Sequence, residues 1–292
     1  MKTLLVCLVC LLALLSNHAR SADVLNMGFY LPGIRDANLT DVKVTLTLWA
    51  EEVGKIYDID ALASTYEDMA SLRRDMLSGK VNMVIVPGME LAETFDADEL
   101  TEGFQGKHRG TGEGLVLIVR ADGDIRQFSH LRGRSVLRLA NDRLSSVFLE
   151  SRCRALAGLA CADFLRVSDE KHSSLAIHKV FFGQADAALV SISALHAAGE
   201  LNPQVRQRLR SLLDWKTTAL SFGLMSARTP PYLRERVIDS AMRVISTVRG
   251  KQILELFKTD TMERAGVHEL QPYWSLHRAS RDSAPGKLKR SR

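Results

Sequence analysis

The chain is poor in cysteine: four in 292 residues, two of which, Cys7 and Cys10, lie in an N-terminal apolar run. Two remaining cysteines are too few for a disulfide-built or zinc-ribbon scaffold. No Cys-x-x-Cys occurs beyond that run, and His-Glu-x-x-His, a Walker phosphate loop and a Gly-x-Ser-x-Gly elbow are all missing. The eight histidines are scattered without metal-ligand spacing, so neither a metal nor a cofactor is expected. Ser168 and Lys171 match Ser-x-x-Lys, but they stand in a polar loop without the companion motifs of serine–lysine hydrolases. Gly110, Gly112 and Gly114 precede a strand instead of linking strand to helix, the wrong order for a dinucleotide loop. Nothing here points to an enzyme.

The body also lacks an excess of charge of either sign. The formal net charge is +5, but His277 to Arg292 holds six Lys and Arg against Asp282, and Lys2 and Arg20 add two more. What remains carries about two net negative charges, so no nucleic-acid partner is expected. The last segment, residues 277–292, mixes its charges with Ser, Pro and Gly and reads as a disordered basic tail.

Long apolar runs are missing too, except Leu4 to Leu15. With Lys2 before it and Ala19 and Ser21 after it, residues 1–21 read as a secretory signal peptide cleaved near Ser21, too short for a membrane span. Val9 stands where lipidation of Cys10 would want a small residue. The mature protein is expected to be exported and soluble.

What is present is an alternation of strands and helices. Val24 to Tyr30 reads as a strand ending in the turn Leu31-Pro32-Gly33. Between Asn38 and Gly54, Val42, Val44, Leu46 and Leu48 alternate like a strand, whereas Val42, Leu46, Trp49 and Val53 recur at helical spacing. Thr40 as a cap tips the reading to helix. A strand at 59–65, a helix at 67–78 closed by Gly79, and a strand at 81–86 complete a β-α-β-α-β unit.

Leu115 to Arg120 is read as a strand closing the first lobe, and a second lobe begins near residue 121. Its strands are expected at 135–140, 164–167 and 185–191, with helices from Ser145, at 174–182 and from Pro203. A strand at 219–225 returns the chain to the first lobe. The helix expected at 232–248 is capped by Thr229, Pro230 and Pro231, and Gly250 breaks it before another at 252–257. The fold class is α/β: two doubly wound lobes joined by a two-stranded hinge. Lobe 1 takes residues 22–120 with 219–276, and lobe 2 takes 121–218.

One stretch of the second lobe carries the chemistry. Ser135 to Ala140 is followed by a polar turn and the pair Ser145-Ser146 at the start of a helical pattern. Such a serine is first of all a cap; a helix start at the carboxyl end of a sheet is also where amides and the helix dipole favour an anion. His172, at a helix entrance, and Asp186, at the mouth of an apolar strand, are candidates for the same site. Serine hydroxyls and histidine donate to an oxyanion, while a carboxylate accepts from a ligand that keeps a proton or an amine. Cys153 and Cys161 flank Gly158. They form either a disulfide, if the chain turns at Gly158, or two buried thiols.

These residues resemble a known family. Leu77 to Val84 followed by Val86-Pro87-Gly88, and Leu131 to Val136 before the serine pair, are similar to the exported phosphate, phosphite and phosphonate binding proteins of ABC transporters. So are His172 with Gly183 to Ala188, Leu201-Asn202-Pro203, and Gly250 to Phe257. The resemblance implies a type II periplasmic binding-protein fold that holds a small oxyanion in an interlobe cleft for a membrane permease. It implies Ser145, Ser146, His172 and Asp186 as ligand residues, closing against Tyr30 and Glu90 of the first lobe. The alternative is an orphan binding domain with a degenerate cleft, partner to a membrane sensor kinase. This chain departs from the family in having Leu144 before and Val147-Phe148 after the pair, and Met89-Glu90 after Pro-Gly. A glutamate there suits a cationic group on the ligand, or marks loss of phosphonate binding.

Overall fold

The computed structural model describes residues 24–33, 39–57, 59–107, 113–219, 221–256 and 259–282. The leader and the cleavage point near Ser21 lie outside the described residues. The first sheet opens with β1 (Val24–Tyr30), α1 (Leu39–Tyr57), β2 (Asp60–Tyr66), α2 (Met69–Leu77) and β3 (Met83–Pro87). These three strands are parallel in the order β3-β1-β2. The α1 ambiguity resolves as helix: Val42, Leu46, Trp49 and Ala50 are buried while Val44 and Leu48 are exposed, a period of 3.6 and not 2. Thr40 falls inside this helix instead of capping it. A short α3 (Gly88–Thr94) and the strand β4 (Leu100–Lys107) follow.

The next strand, β5 (Glu113–Arg120), is hydrogen-bonded into the second sheet, antiparallel to its neighbours. The first crossing between sheets therefore falls between Lys107 and Glu113, not near residue 121. The second sheet continues with β6 (Ser135–Leu139), α4 (Arg143–Ala157), α5 (Cys161–Phe164), β7 (Arg166–Glu170), α6 (Ser173–Phe181), β8 (Ala187–Ser191), α7 (Ile192–Leu201), α8 (Pro203–Arg208) and β9 (Leu209–Thr217). Its order is β7-β6-β8-β5-β9, with β6, β7 and β8 parallel. Cys153 and Cys161 are joined by a disulfide, their Cα atoms 5.2 Å apart, because Gly158 turns the chain at φ 69°. Only a residue tolerant of left-handed backbone makes that turn without strain.

The chain returns through β10 (Ser221–Ser226), which lies between β3 and β4 of the first sheet, and continues into α9 (Pro231–Val244), α10 (Val248–Leu256), β11 (Thr261–Ala265) and α11 (Gln271–Asp282). Two expectations need correction here. Val248 is 77% exposed and opens α10 instead of closing the preceding helix. Gly250 lies within α10, where a Cβ would collide with the Val244 carbonyl, so its function is close approach and not helix breaking.

A third correction concerns the tail, whose residues 277 to 282 form the last turns of α11. That helix has a buried apolar face, which includes Tyr273 and Leu276. Residues 283–292 lie outside the described residues.

The apolar faces of the two sheets meet in one cluster. Val84, Val86 and Leu224 from the first sheet and Leu117, Val136 and Leu189 from the second share it with Phe148, Tyr273 and Leu276. Full burial of each such side chain is worth about 1.5–3 kcal/mol. Tyr273 sits where the chain recrosses. Its ring lies edge-on to Trp215 of β9, at 5.2 Å, and to Phe222 of β10, at 5.8 Å, and its hydroxyl donates to the Ala219 carbonyl between them. The same ring fills the space a Cβ on Gly88 would need. No described helix is long and apolar enough to cross a membrane.

Candidate functional site

In sheets of this kind the helix starts lie at the carboxyl ends of the parallel strands. On the first sheet these ends are Tyr30, Tyr66 and Pro87; on the second they are Leu139, Glu170 and Ser191. Asp68 caps α2, accepting from the Ser71 amide at 2.8 Å, and Ser191 caps α7 by accepting from the Ala194 amide at 3.2 Å. Among the described residues no group of three or more His, Cys, Asp and Glu is placed to hold a metal ion.

Helix α4 begins at Arg143 and not at Ser145, so Asp142 takes the N-cap position and the serine pair lies inside the first turn, neither capping it nor open to a ligand. Ser145 is fully buried and its hydroxyl donates to the carboxylate of Asp142, itself buried at the N-cap of α4. Ser146 donates to the Asp142 carbonyl at 3.0 Å and accepts from Arg138 at 2.9 Å, while Arg138 also pairs with Asp169 at 2.7 Å. The positive end of the helix dipole thus already faces a carboxylate of the chain. His172 is the N-cap residue of α6, exposed, on the same edge as the α4 start, where the Ala140 amide donates to the Glu170 carbonyl at 2.9 Å.

Asp186 is not with them. It precedes β8 and is clasped by Ser135, the first residue of β6, whose amide and hydroxyl each donate to it at 2.8 Å. Arg134 adds a contact at 3.4 Å. The length of β6, about 13 Å at ~3.3 Å per residue, separates this clasp from the α4 start. An acid at the beginning of a parallel strand lies at the edge opposite the helix starts, which a linear reading of the strand's mouth does not reveal. Burial pushes the Asp186 carboxyl up, but the Ser135 amide and hydroxyl, then Arg134 and Arg166, outweigh it and hold it below the ordinary value. A depressed folded-state pKa contributes stability above the unfolded value of about 3.9 and loses it as pH falls through the folded one. Asp186→Asn is therefore expected to lower the melting temperature at pH 7 and to flatten its fall as the pH drops below the ordinary carboxylate range. Ligand affinity should not change, and a large affinity loss with an unaltered melting profile would return Asp186 to the site.

Tyr30 and Glu90 do come together. Tyr30 ends β1 and Glu90 lies in the first turn of α3; burial first, and then the charges of Glu90 and Asp68, push the Tyr30 hydroxyl above its ordinary pKa. Across from them, Arg143 at the start of α4 makes two 2.7 Å contacts to the Glu93 carboxylate, from Nε and Nη2. His277 Nδ1 of α11 stands 3.1 Å from the same carboxylate. The hydrogen bonds that Arg143 donates to Glu93 are the main reason its guanidinium is held even more firmly protonated, with the charge of Glu90 contributing. The site thus joins an acidic edge (Asp68, Glu90, Glu93) to one basic fork. Asp142, Glu93, Arg143 and His277 were missed from sequence. The three-residue spacing of Glu90 and Glu93 at a helix start was the available signal, whereas nothing local linked either to residues 143 or 277.

A family model described as the periplasmic substrate-binding protein of phosphonate ABC transporters matches residues 40–269. No curated protein matches. Among solved structures, a Xanthomonas citri protein bound to ATP superposes with a TM-score of 0.62 at 13% identity, over 90% of this chain and 98% of its own. The binding component of a Pseudomonas aeruginosa phosphonate transporter gives 0.57 at 14% identity, covering 90% and 88% respectively. A Prochlorococcus marinus protein in complex with methylphosphonate gives 0.56 at 14% identity, covering 88% and 97%. The architecture is that of type II periplasmic binding proteins.

Proposed function

We propose, from the premise that this chain belongs to the family of periplasmic phosphonate-binding proteins of ABC transporters, that it captures a small phosphonate-like oxyanion bearing a cationic group. The family is one of solute-binding transport proteins, not enzymes. It works in the periplasm and hands its ligand to a membrane permease. In the proposal the protein acts as a monomer whose lobes close about the two crossings.

The observation that carries the reading is the acidic environment of Tyr30. A bare oxyanion is repelled by Glu90 and Asp68, whereas a zwitterion meets both needs. Its amine faces these carboxylates, and its oxyanion faces Arg143 and the start of α6, near His172. Ser145, Ser146 and Asp186 drop out as contacts, since both serine hydroxyls are spent on Asp142 and Asp186 lies at the opposite edge.

The test is thermal unfolding of the mature protein with inorganic phosphate, methylphosphonate, 2-aminoethylphosphonate and taurine. The aminophosphonate should raise the midpoint most, and Glu90→Gln should erase its advantage over methylphosphonate. Equal shifts for both phosphonates in the wild type would remove the cationic group from the proposal. Flat curves throughout would favour the second reading, an accessory partner of a membrane sensor. That reading draws on Asp142 occupying the α4 start and on the dispersal of the serine–histidine–aspartate set.

A further inference from the structure

We infer that Arg143 is the anion-recognising residue of this site, and that Glu93 is a tethered stand-in for the ligand's oxyanion, displaced when ligand binds. The inference rests on the oxyanion-binding reading above. Arg143 opens α4 of the second lobe, and Glu93 lies near the end of α3 of the first, so their pairing joins the lobes directly. The two parallel 2.7 Å contacts are the fork geometry that a guanidinium makes with a carboxylate. The same fork fits two oxygens of a phosphonate.

The two partners are unequally held. The Arg143 side chain is 52% exposed and the Glu93 side chain 18%, so the arginine is the partner free to change position. When it leaves, Glu93 is not stranded, because His277 Nδ1 stays within hydrogen-bond reach at 3.1 Å. α11 itself is fixed by the burial of Tyr273 and Leu276. A donor already in place lowers the cost of separating a half-buried carboxylate from its cation. Glu90 lies close enough to influence both Arg143 and Tyr30.

The resting site is thus neutralised from within. An incoming oxyanion competes with a carboxylate held at high effective concentration, so Glu93 sets the affinity without touching the ligand. Exchange of partners also replaces a direct lobe-to-lobe tie by one that runs through the ligand.

The experiment compares wild type, Glu93→Gln, Arg143→Gln and Arg143→Lys in calorimetric titrations with 2-aminoethylphosphonate, together with amide hydrogen exchange of residues 271–282 without ligand. Glu93→Gln is expected to bind about three- to tenfold more tightly. Arg143→Gln should bind at least about tenfold more weakly, with Arg143→Lys between it and wild type. Both Gln variants should exchange faster in α11. Unchanged or weaker binding by Glu93→Gln, or wild-type binding by Arg143→Gln, overturns the inference. Binding by Glu93→Gln alone supports it most directly. Silence of all four proteins with accelerated exchange overturns the ligand reading and supports the Arg143–Glu93 tie, whereas silence with unchanged exchange overturns both.

Discussion

Tyr273→Ala is expected to destabilise the protein by about 3–5 kcal/mol, the usual cost of emptying a buried aromatic site. The ring is fully buried and meets Trp215 and Phe222 edge-on. These two residues lie on strands of different sheets, so the cavity opens at the recrossing and cannot collapse within a single lobe. The Ala219 carbonyl also loses its phenol donor. Tyr273→Phe isolates that part and should cost about 1–2 kcal/mol. Urea unfolding followed by tryptophan fluorescence measures both, since Trp215 reports the site directly. A loss below about 1 kcal/mol for Tyr273→Ala would mean that α11 is not docked as described. Loosened lobes should also follow, because the residue that spans them is gone.

Removing the disulfide comes next in size. Cys153→Ala combined with Cys161→Ala should lower stability by about 2–3 kcal/mol, the chain-entropy value for so short a closed loop. The bond spans eight positions and both cysteines are buried, so the loss of a packed side-chain pair adds to the entropy. It pins the end of α4 to the start of α5, where the Cys161 amide also donates to Glu150 at 3.1 Å. The double variant should show a lower urea midpoint than oxidised wild type, and dithiothreitol should bring wild type part of the way down, by the share of the cross-link alone. If the reductant leaves the wild-type midpoint unmoved while the double variant falls, the cost comes from packing and not from the cross-link.

Much of the fold was legible because its central strands are apolar runs. Val24–Tyr30, Met83–Pro87 and Ala187–Ser191 announce themselves, and α2 shows its inward face and its Gly79 stop at φ 80°. The outer strands β4, β9 and β11 did not. Leu100–Lys107 carries two glycines, and Leu209–Thr217 and Thr261–Ala265 mix charge with apolar residues. A strand buried on one face or lying at a sheet edge needs less apolar surface and so gives a weaker signal. The candidate site was less legible. Tyr30 lies within electrostatic reach of Glu90, whereas Ser145 is hydrogen-bonded to Asp142 and Asp186 to Ser135, partners that the sequence pattern did not show.

By itself the sequence determined the alternation of strands and helices, two lobes, an unusual glutamate after Pro87-Gly88, and the family. Those are properties of local patterning and of ordered motifs, which the chain carries in one dimension. Only the tertiary structure decided which end of a strand each polar residue occupies, whether the cysteines join, and which charges meet. The reason is geometric: parallel strands put residues adjacent in pattern at opposite edges of a sheet, and the Arg143–Glu93–His277 contact draws on three distant segments that no local spacing connects.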